Sequence, residues 1–406
     1  MEKTSPKLGR KKLIMIIVAA VLVLAIVGVM LYLFVPVKIA VDIDSVRYVG
    51  TDVVVRDAAD GQHKEIFKSD GNGGISDKPF KILAFTDTHF DTYKKKGSFT
   101  VKYMLENIYM EKPDLVVFVG DVVTSATNRA RAKQLAEVME KLGVYWAAVL
   151  GNHEGDNIRS ISRKEFVELY ASYPHCLISA EEKFTSGGEK VWGNGNTQID
   201  ILAADGSIAQ TLFFIDSGNE ISDEDAKAFG VEKGSYDYVK PSQIKWYSER
   251  VATLPEGTRS TMFLHIPFPE YADALNDVPR KVDGTFDYGA VSENGTKALF
   301  GGALEGVASP KYNSGLFDAI LEGGSTKTVV CGHDHINDFR IVYKGVTLCY
   351  NRASGYSSYN AYSKNKAREL GQGATVYTVN ADGSIEFTDI LNRERFDVSE
   401  AYKLYK

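Results

Sequence analysis

The chain has 406 residues, 44% of them hydrophobic and 25% charged, which is too long for one small domain and ordinary for folded protein. A formal net charge of −6 argues against a general nucleic-acid binder, which needs a basic face to neutralise phosphates, so no nucleic-acid partner is expected. Three cysteines, Cys176, Cys331 and Cys349, are too few and too scattered for a disulfide scaffold or a zinc ribbon.

Residues 13–34, LIMIIVAAVLVLAIVGVMLYLF, carry no charge and are long enough as a helix to cross a hydrocarbon core of about 30 Å. A cleaved signal peptide has a shorter apolar region, about 7 to 15 residues, ending at small side chains. This run ends instead in YLFVPVK. Arg10, Lys11 and Lys12 directly precede it, and the positive-inside rule therefore places a short N-terminus, 1–12, in the cytoplasm. The expected organisation is a transmembrane anchor over 13–35 with everything after it extracytoplasmic and the lipid bilayer as one partner.

Beyond the anchor, 36–78 reads as a small β region turning at Asp60–Gly61, followed by a linker rich in Gly, Asp and Ser. The main domain is expected over 79–395, with 396–406 as a C-terminal tail. From Lys81 the order is KILAFTD, a helix near 100–111, DLVVFVGD, a helix near 129–142, then YWAAVLGNH. Strand, helix, strand, helix, strand builds a parallel sheet with crossover helices, so the fold class is α/β. Later come a hairpin turning at Asp205–Gly206, a helix opened by Pro241, and a strand ending at His265. The stretch GLFDAILEGG then leads into TKTVVCGHDH, and two more hairpins turn at Lys344–Gly345 and Asp382–Gly383.

The apolar runs end abruptly in residues that bind metals: Asp87 and His89, Asp121, Asn152 with His153 and Glu154, His265, and finally His333 and His335. In an open α/β sheet such strand ends gather in one crevice. Each residue alone has a dull explanation, such as a helix cap or a left-handed turn. Their joint placement does not, and it points to a metal site. A mixed set of imidazole and oxygen donors accommodates manganese, iron or zinc. Two ions about 3.5 to 4 Å apart hold a phosphate and make hydroxide available near neutral pH. That arrangement needs a bridging carboxylate, and Asp121 is the candidate.

The order D-x-H, G-D, G-N-H-E, H, G-H-x-H resembles the calcineurin-like metallophosphoesterase superfamily, from about Lys81 to Tyr350. LHIPFPEY, SPKYNSGLFDAI, and GHDHINDF followed by GVTLCYNRASGYSSY are similar to its purple acid phosphatase-like branch. The resemblance implies a metallophosphoesterase-type β-sandwich flanked by helices, α/β/β/α, after the single transmembrane helix. It implies a first metal, divalent or trivalent, on Asp87, His89, Asp121 and His335, and a second on Asp121, Asn152, His265 and His333. His153 is then the non-ligand catalytic residue.

One departure from that pattern is Thr124, which stands where a purple acid phosphatase has a tyrosine ligand, so no tyrosinate-to-iron colour is expected. Relatives also often place an aspartate near this position to support the catalytic histidine. Its absence here leaves Glu154 either as the substitute or as a residue bracing the ligands from behind. The expected activity is hydrolysis of phosphate monoesters by attack of metal-bound hydroxide. The alternatives are a phosphodiesterase acting on nucleotides or lipid headgroups and, from a different class, a non-catalytic surface binding protein.

Overall fold

The computed structural model describes residues 9–34, 43–90, 94–124, 128–156, 160–360 and 371–405. The chain forms two units, residues 1–38 and 39–406. In the first, helix α1 (Arg10–Phe34) has 25 residues and rises roughly 37 Å. Its apolar side chains from Leu13 to Leu31 are exposed, and its length and composition make it a candidate membrane span. The expected end of the anchor at residue 35 lies outside the described residues.

The second unit opens with β1 (Val53–Asp57), β2 (Lys64–Lys68) and β3 (Phe80–Phe85), then α2 (Lys94–Glu111), β4 (Leu115–Val119), α3 (Asn128–Leu142), β5 (Tyr145–Val149) and α4 (Arg163–Ala171). It continues with β6 (Thr197–Leu202), β7 (Ile208–Phe214), α5 (Asp223–Phe229), α6 (Pro241–Ala252), β8 (Ser260–Phe263) and α7 (Glu270–Asp277). The last elements named here are β9 (Lys297–Ala303), α8 (Leu316–Gly323), β10 (Thr326–Cys331), β11 (Asn337–Tyr343), β12 (Val346–Tyr350), β13 (Gly373–Val379) and β14 (Ile385–Leu391).

Two sheets result: a five-stranded sheet ordered β14-β13-β3-β4-β5 and a nine-stranded sheet ordered β1-β2-β6-β7-β8-β10-β12-β11-β9. Each contains a parallel run, β3-β4-β5 at one side of the first and β7-β8-β10-β12 within the second. Strand side chains alternate between faces, and this alternation builds the layers. On β7, Leu212 and Phe214 enter the core shared with the five-stranded sheet, while Phe213 points to the other side. Phe263 on β8 and Val330 on β10 face the shared core in the same way, and Met262 and Val329 face outward against α6, α7 and α8. Helices α2 and α3 cover the far face of the five-stranded sheet through residues such as Ile108, Leu135 and Met139. The layers are helix, sheet, sheet, helix.

The strands of segment 36–78 form the edge of the nine-stranded sheet, β2 lying parallel to β6 with Glu65 opposite Asp200. Ile66 on β2 is fully buried, and that burial is what draws the segment onto the sheet. The segment after residue 395 also packs: Val398 and Ala401 are buried against Tyr103 and Tyr356, and the Tyr103 hydroxyl donates to the Asp397 carbonyl at 2.9 Å.

Trp146 on β5 is fully buried, edge-on to Phe118 and Tyr170 with ring centroids 6.1 and 4.9 Å away. Trp146→Ala should cost about 3–5 kcal/mol of unfolding free energy, read as a lower urea midpoint.

Candidate metal centre

The donor residues leave the strands through sharp turns. Six non-glycine residues have positive φ among the described residues, and four of them are Asp87 (50°), His89 (39°), Asp121 (47°) and His333 (88°). Left-handed backbone is unfavourable for L residues, and here it turns side chains back across the strand ends. Two glycines make room for this. A Cβ on Gly120 would strike the His265 ring, and one on Gly151 would strike the carboxylate and backbone nitrogen of Asp121. The glycines of the G-D and G-N-H motifs are thus required by close approach.

The donors fall into two groups that share Asp121. Asp87, His89, Asp121 and His335 each offer an atom within 4.8 Å of all the others, and Asp121, His265 and His333 do the same. His335 Nε2 lies 3.1 Å from His89 Nε2 and 3.3 Å from Asp87 Oδ1. Asp121 Oδ2 lies 3.6 Å from His89 Nε2 and 3.3 Å from His265 Nε2. Asn152 joins the second group, its Oδ1 3.2 Å from His265 Nε2. All seven ligand candidates read from the sequence therefore converge.

Partners outside the groups aim the rings. His265 Nδ1 donates to the Val119 carbonyl at 2.8 Å and His335 Nδ1 to the Tyr359 carbonyl at 3.1 Å, which leaves each Nε2 facing inward. Thr124 Oγ1 lies 3.1 Å from His89 Nδ1. The Tyr359 ring stacks on His335, with centroids 4.4 Å apart and planes 13° from parallel. Asp87 Oδ2 accepts from the Thr86 hydroxyl and the His333 backbone amide, and Asp121 Oδ1 accepts from the His153 amide.

What remains is a set of buried atoms without a protein partner: Asp87 Oδ1, Asp121 Oδ2 and His333 Nε2. Buried polar atoms in folded proteins almost always have partners, and these three belong to the two donor groups. Carboxylate oxygens and an imidazole lone pair together call for a cation, so the residues fit a two-metal centre. The titration behaviour agrees. Burial opposes charge on His265, yet Asp121 and Asp87 overcome it and push its pKa up to about 10. His89 and His333 are driven down to about 3, by burial first and then by neighbouring imidazoles. In protein alone, the ionised carboxylates keep His265 protonated where a cation fits.

His153 stands at the edge of the centre with 42% of its side chain exposed. Its Nδ1 is hydrogen-bonded to Asp156, and its Nε2 faces the donors, 4.0 Å from Asp121 Oδ2. Burial works against its charge, and Asp121 and Asp156 outweigh burial to hold its pKa above the ordinary histidine value. The partner of His153 is thus Asp156 and not Glu154. Glu154 is fully buried and staples the loop instead, accepting from the backbone amides of Val122 at 2.7 Å and Gly151 at 2.9 Å. Asp156 had a readable signal, since it follows His153 by three residues in the turn GNHEGD. Tyr359 lies in the aromatic cluster GYSSYNAY, whose tyrosines are equally readable as a pocket mouth or a packed hairpin edge, and its contact with His335 combines ring stacking with a backbone carbonyl.

Comparison with known proteins agrees with this geometry. The calcineurin-like phosphoesterase family profile matches residues 80–337. The chain is 29% identical over 334 residues to an Arabidopsis thaliana protein named probable inactive purple acid phosphatase 14, covering 74% of each chain. It is 30% identical over 314 residues to probable inactive purple acid phosphatase 29 of the same plant, covering 69% of this chain and 73% of that one. It is also 29% identical over 298 residues to the Saccharomyces cerevisiae phosphatase DCR2, covering 67% of this chain and 47% of the yeast protein. With the family profile matched across most of the catalytic unit, the chain belongs to the calcineurin-like phosphoesterase family.

Proposed function

We propose that this protein is a membrane-tethered phosphatase whose catalytic unit lies outside the cytoplasm and hydrolyses phosphate monoesters with two metal ions. The observation that carries this reading is Asp121 Oδ2, buried, without a protein donor and common to both donor groups. Manganese, iron or zinc would be held by Asp87, His89, Asp121 and His335 in one place, and by Asp121, Asn152, His265 and His333 in the other. Ions bound there act as Lewis acids that lower the pKa of water and offset the charge of the phosphate.

The chain's own contribution to the leaving group is His153. Asp156 fixes its Nδ1, so the opposite nitrogen is aimed at the donor groups. With both ring nitrogens protonated, Nδ1 donates to Asp156 and Nε2 delivers its proton to the departing ester oxygen. Asp156 orients that donor and stabilises its charged form. Arg10, Lys11 and Lys12 at the start of α1 support an inward N-terminus and an outward catalytic unit.

The word "inactive" in the names of two relatives favours a second reading, a protein that binds phosphate esters without turning them over. One assay separates the two. The purified protein, stripped of metal and reloaded with manganese, zinc or iron, should hydrolyse an aryl phosphate monoester faster than the matching diester. His153→Ala should lower kcat by about 10²–10⁴-fold, the usual range for a positioned acid–base group, and Asp156→Asn by a smaller factor. Metal uptake without turnover of either ester would instead support the binding reading.

Metal removal should also register in stability. A single ion present at 100 times its Kd adds about 2.7 kcal/mol to the folded state, so chelation should lower Tm and readdition restore it. For orientation, a tag at the C-terminus should be labelled by an impermeant reagent on intact cells. Labelling only after permeabilisation would reverse the assigned topology.

A further inference from the structure

Outside the donor groups, a buried polar cluster near the centre gathers around Asp216, just beyond β7. Asp216 is fully buried. Its Oδ2 accepts from the Asn194 amide at 2.8 Å and its Oδ1 from the Gly218 amide at 3.0 Å. Its own amide donates to Asn196 Oδ1 at 3.1 Å, and its carbonyl accepts from Gln243 Nε2 on α6 at 2.8 Å. A carboxylate held this way does not move. One charged group answers it: Arg163, the first residue of α4, with 17% of its side chain exposed. The Arg163 guanidinium donates through Nη2 to Asp216 Oδ1 and through Nη1 to the carbonyl of Gly151.

Those two contacts join distant parts of the site. Gly151 immediately precedes Asn152 and His153, so Arg163 ties the loop that presents them to the end of β7 in the other sheet. The residue after Asp216 makes a second tie: Ser217 Oγ accepts from the Ile266 amide at 3.0 Å, and Ile266 follows His265. The pair Asp216–Ser217 therefore anchors two loops at once, one through a guanidinium and one through a hydroxyl. Asn152 and His265 are the side chains that those loops bring to 3.2 Å of each other. The first donor group is braced elsewhere, with Thr124 at His89 and Tyr359 at His335.

We infer that Arg163, Asp216 and Ser217 are positioning residues for the second metal, setting the spacing of Asn152 and His265 through the backbone on either side of them. The inference rests on the two-metal reading given above. Arginine suits the task because its planar fork reaches two acceptors at fixed geometry, which a lysine ammonium on a flexible stem does not reproduce. Partners of this kind behind metal ligands typically govern 10–100-fold in metal affinity or activity.

The test is a metal titration of the full-length chain in detergent, using manganese and following the spin-coupled signal of a metal pair alongside stoichiometry. Wild-type protein should take up two ions. Arg163→Lys, Asp216→Asn and Ser217→Ala should each keep one ion at wild-type affinity and bind the other 10–100-fold more weakly, with a single-ion signal replacing the coupled one at limiting metal. Ser217→Ala removes one hydroxyl and no charge, so it reads the inference even where the charge variants fold poorly. Two ions bound as in wild type by all three variants, or both affinities falling together, would overturn it. So would a wild-type protein that takes up fewer than two ions. The titration needs no turnover: a wild-type protein that binds two ions and hydrolyses no ester would count against the proposed activity, while second-site affinity still decides this inference.

Discussion

The carboxylate of Asp121 is buried at the end of β4, one oxygen held by the His153 amide and the other facing two sets of donors with no proton donor of its own. A charge removed from water in this way costs several kcal/mol unless something answers it. In protein alone the protonated His265, 3.3 Å away, answers it, and the donors gathered around the carboxylate fit a metal ion in the same place. Beside it, Asp87 uses one oxygen on protein donors and leaves the other open in the same manner. The strand beneath Asp121, Leu115–Val119, is buried along its whole length between β3 and β5, which fixes the backbone that carries the carboxylate. Left-handed turns and close-packed glycines around it are the local cost of holding that position.

The centre also depends on how the two sheets meet. Asp87, His89, Asp121 and Asn152 come from ends of the five-stranded sheet, whereas His265, His333 and His335 come from ends of the nine-stranded one. Neither sheet holds a full set of donors. Their relative placement is fixed by the shared core, in which Phe85 and Phe118 lie on one side and Phe214 and Phe263 on the other. Toward the sandwich edge the bidentate pair of Arg340 on β11 with Asp389 on β14 crosses between sheets, its guanidinium lying 4.3 Å from the Phe300 ring centroid and 4.8 Å from that of Phe387. Fold and chemistry are coupled here: core packing sets the distance between halves of a metal site.

The parts legible in the sequence were those written locally. Each donor follows an apolar run, so the seven candidate donors, the α/β order and the hairpins turning at Asp205–Gly206, Lys344–Gly345 and Asp382–Gly383 are visible without coordinates. The apolar pattern marks helix α2 only from about residue 100, whereas it starts at Lys94, because the polar KKKGS run gives no apolar periodicity to mark its first turn. What the sequence hid was pairing between segments far apart in the chain. The attachment of β2 to β6, the grip of Arg163 on Gly151 and Asp216, and the support of His335 by Tyr359 all run through backbone atoms or long-range contacts. Glu154 is the instructive case: its position beside His153 leaves open whether it supports that ring or braces the ligands from behind, and its side chain turns inward to hold the loop.

The central claim is that Asp121 joins two metal ions. Crystals of the protein grown with manganese, with anomalous scattering measured at the metal edge, address it directly. The account predicts two anomalous peaks about 3.5–4 Å apart, one beside Asp87, His89 and His335 and the other beside Asn152, His265 and His333, with Asp121 Oδ2 between them. A single peak, or two peaks with Asp121 turned away from both, would contradict it.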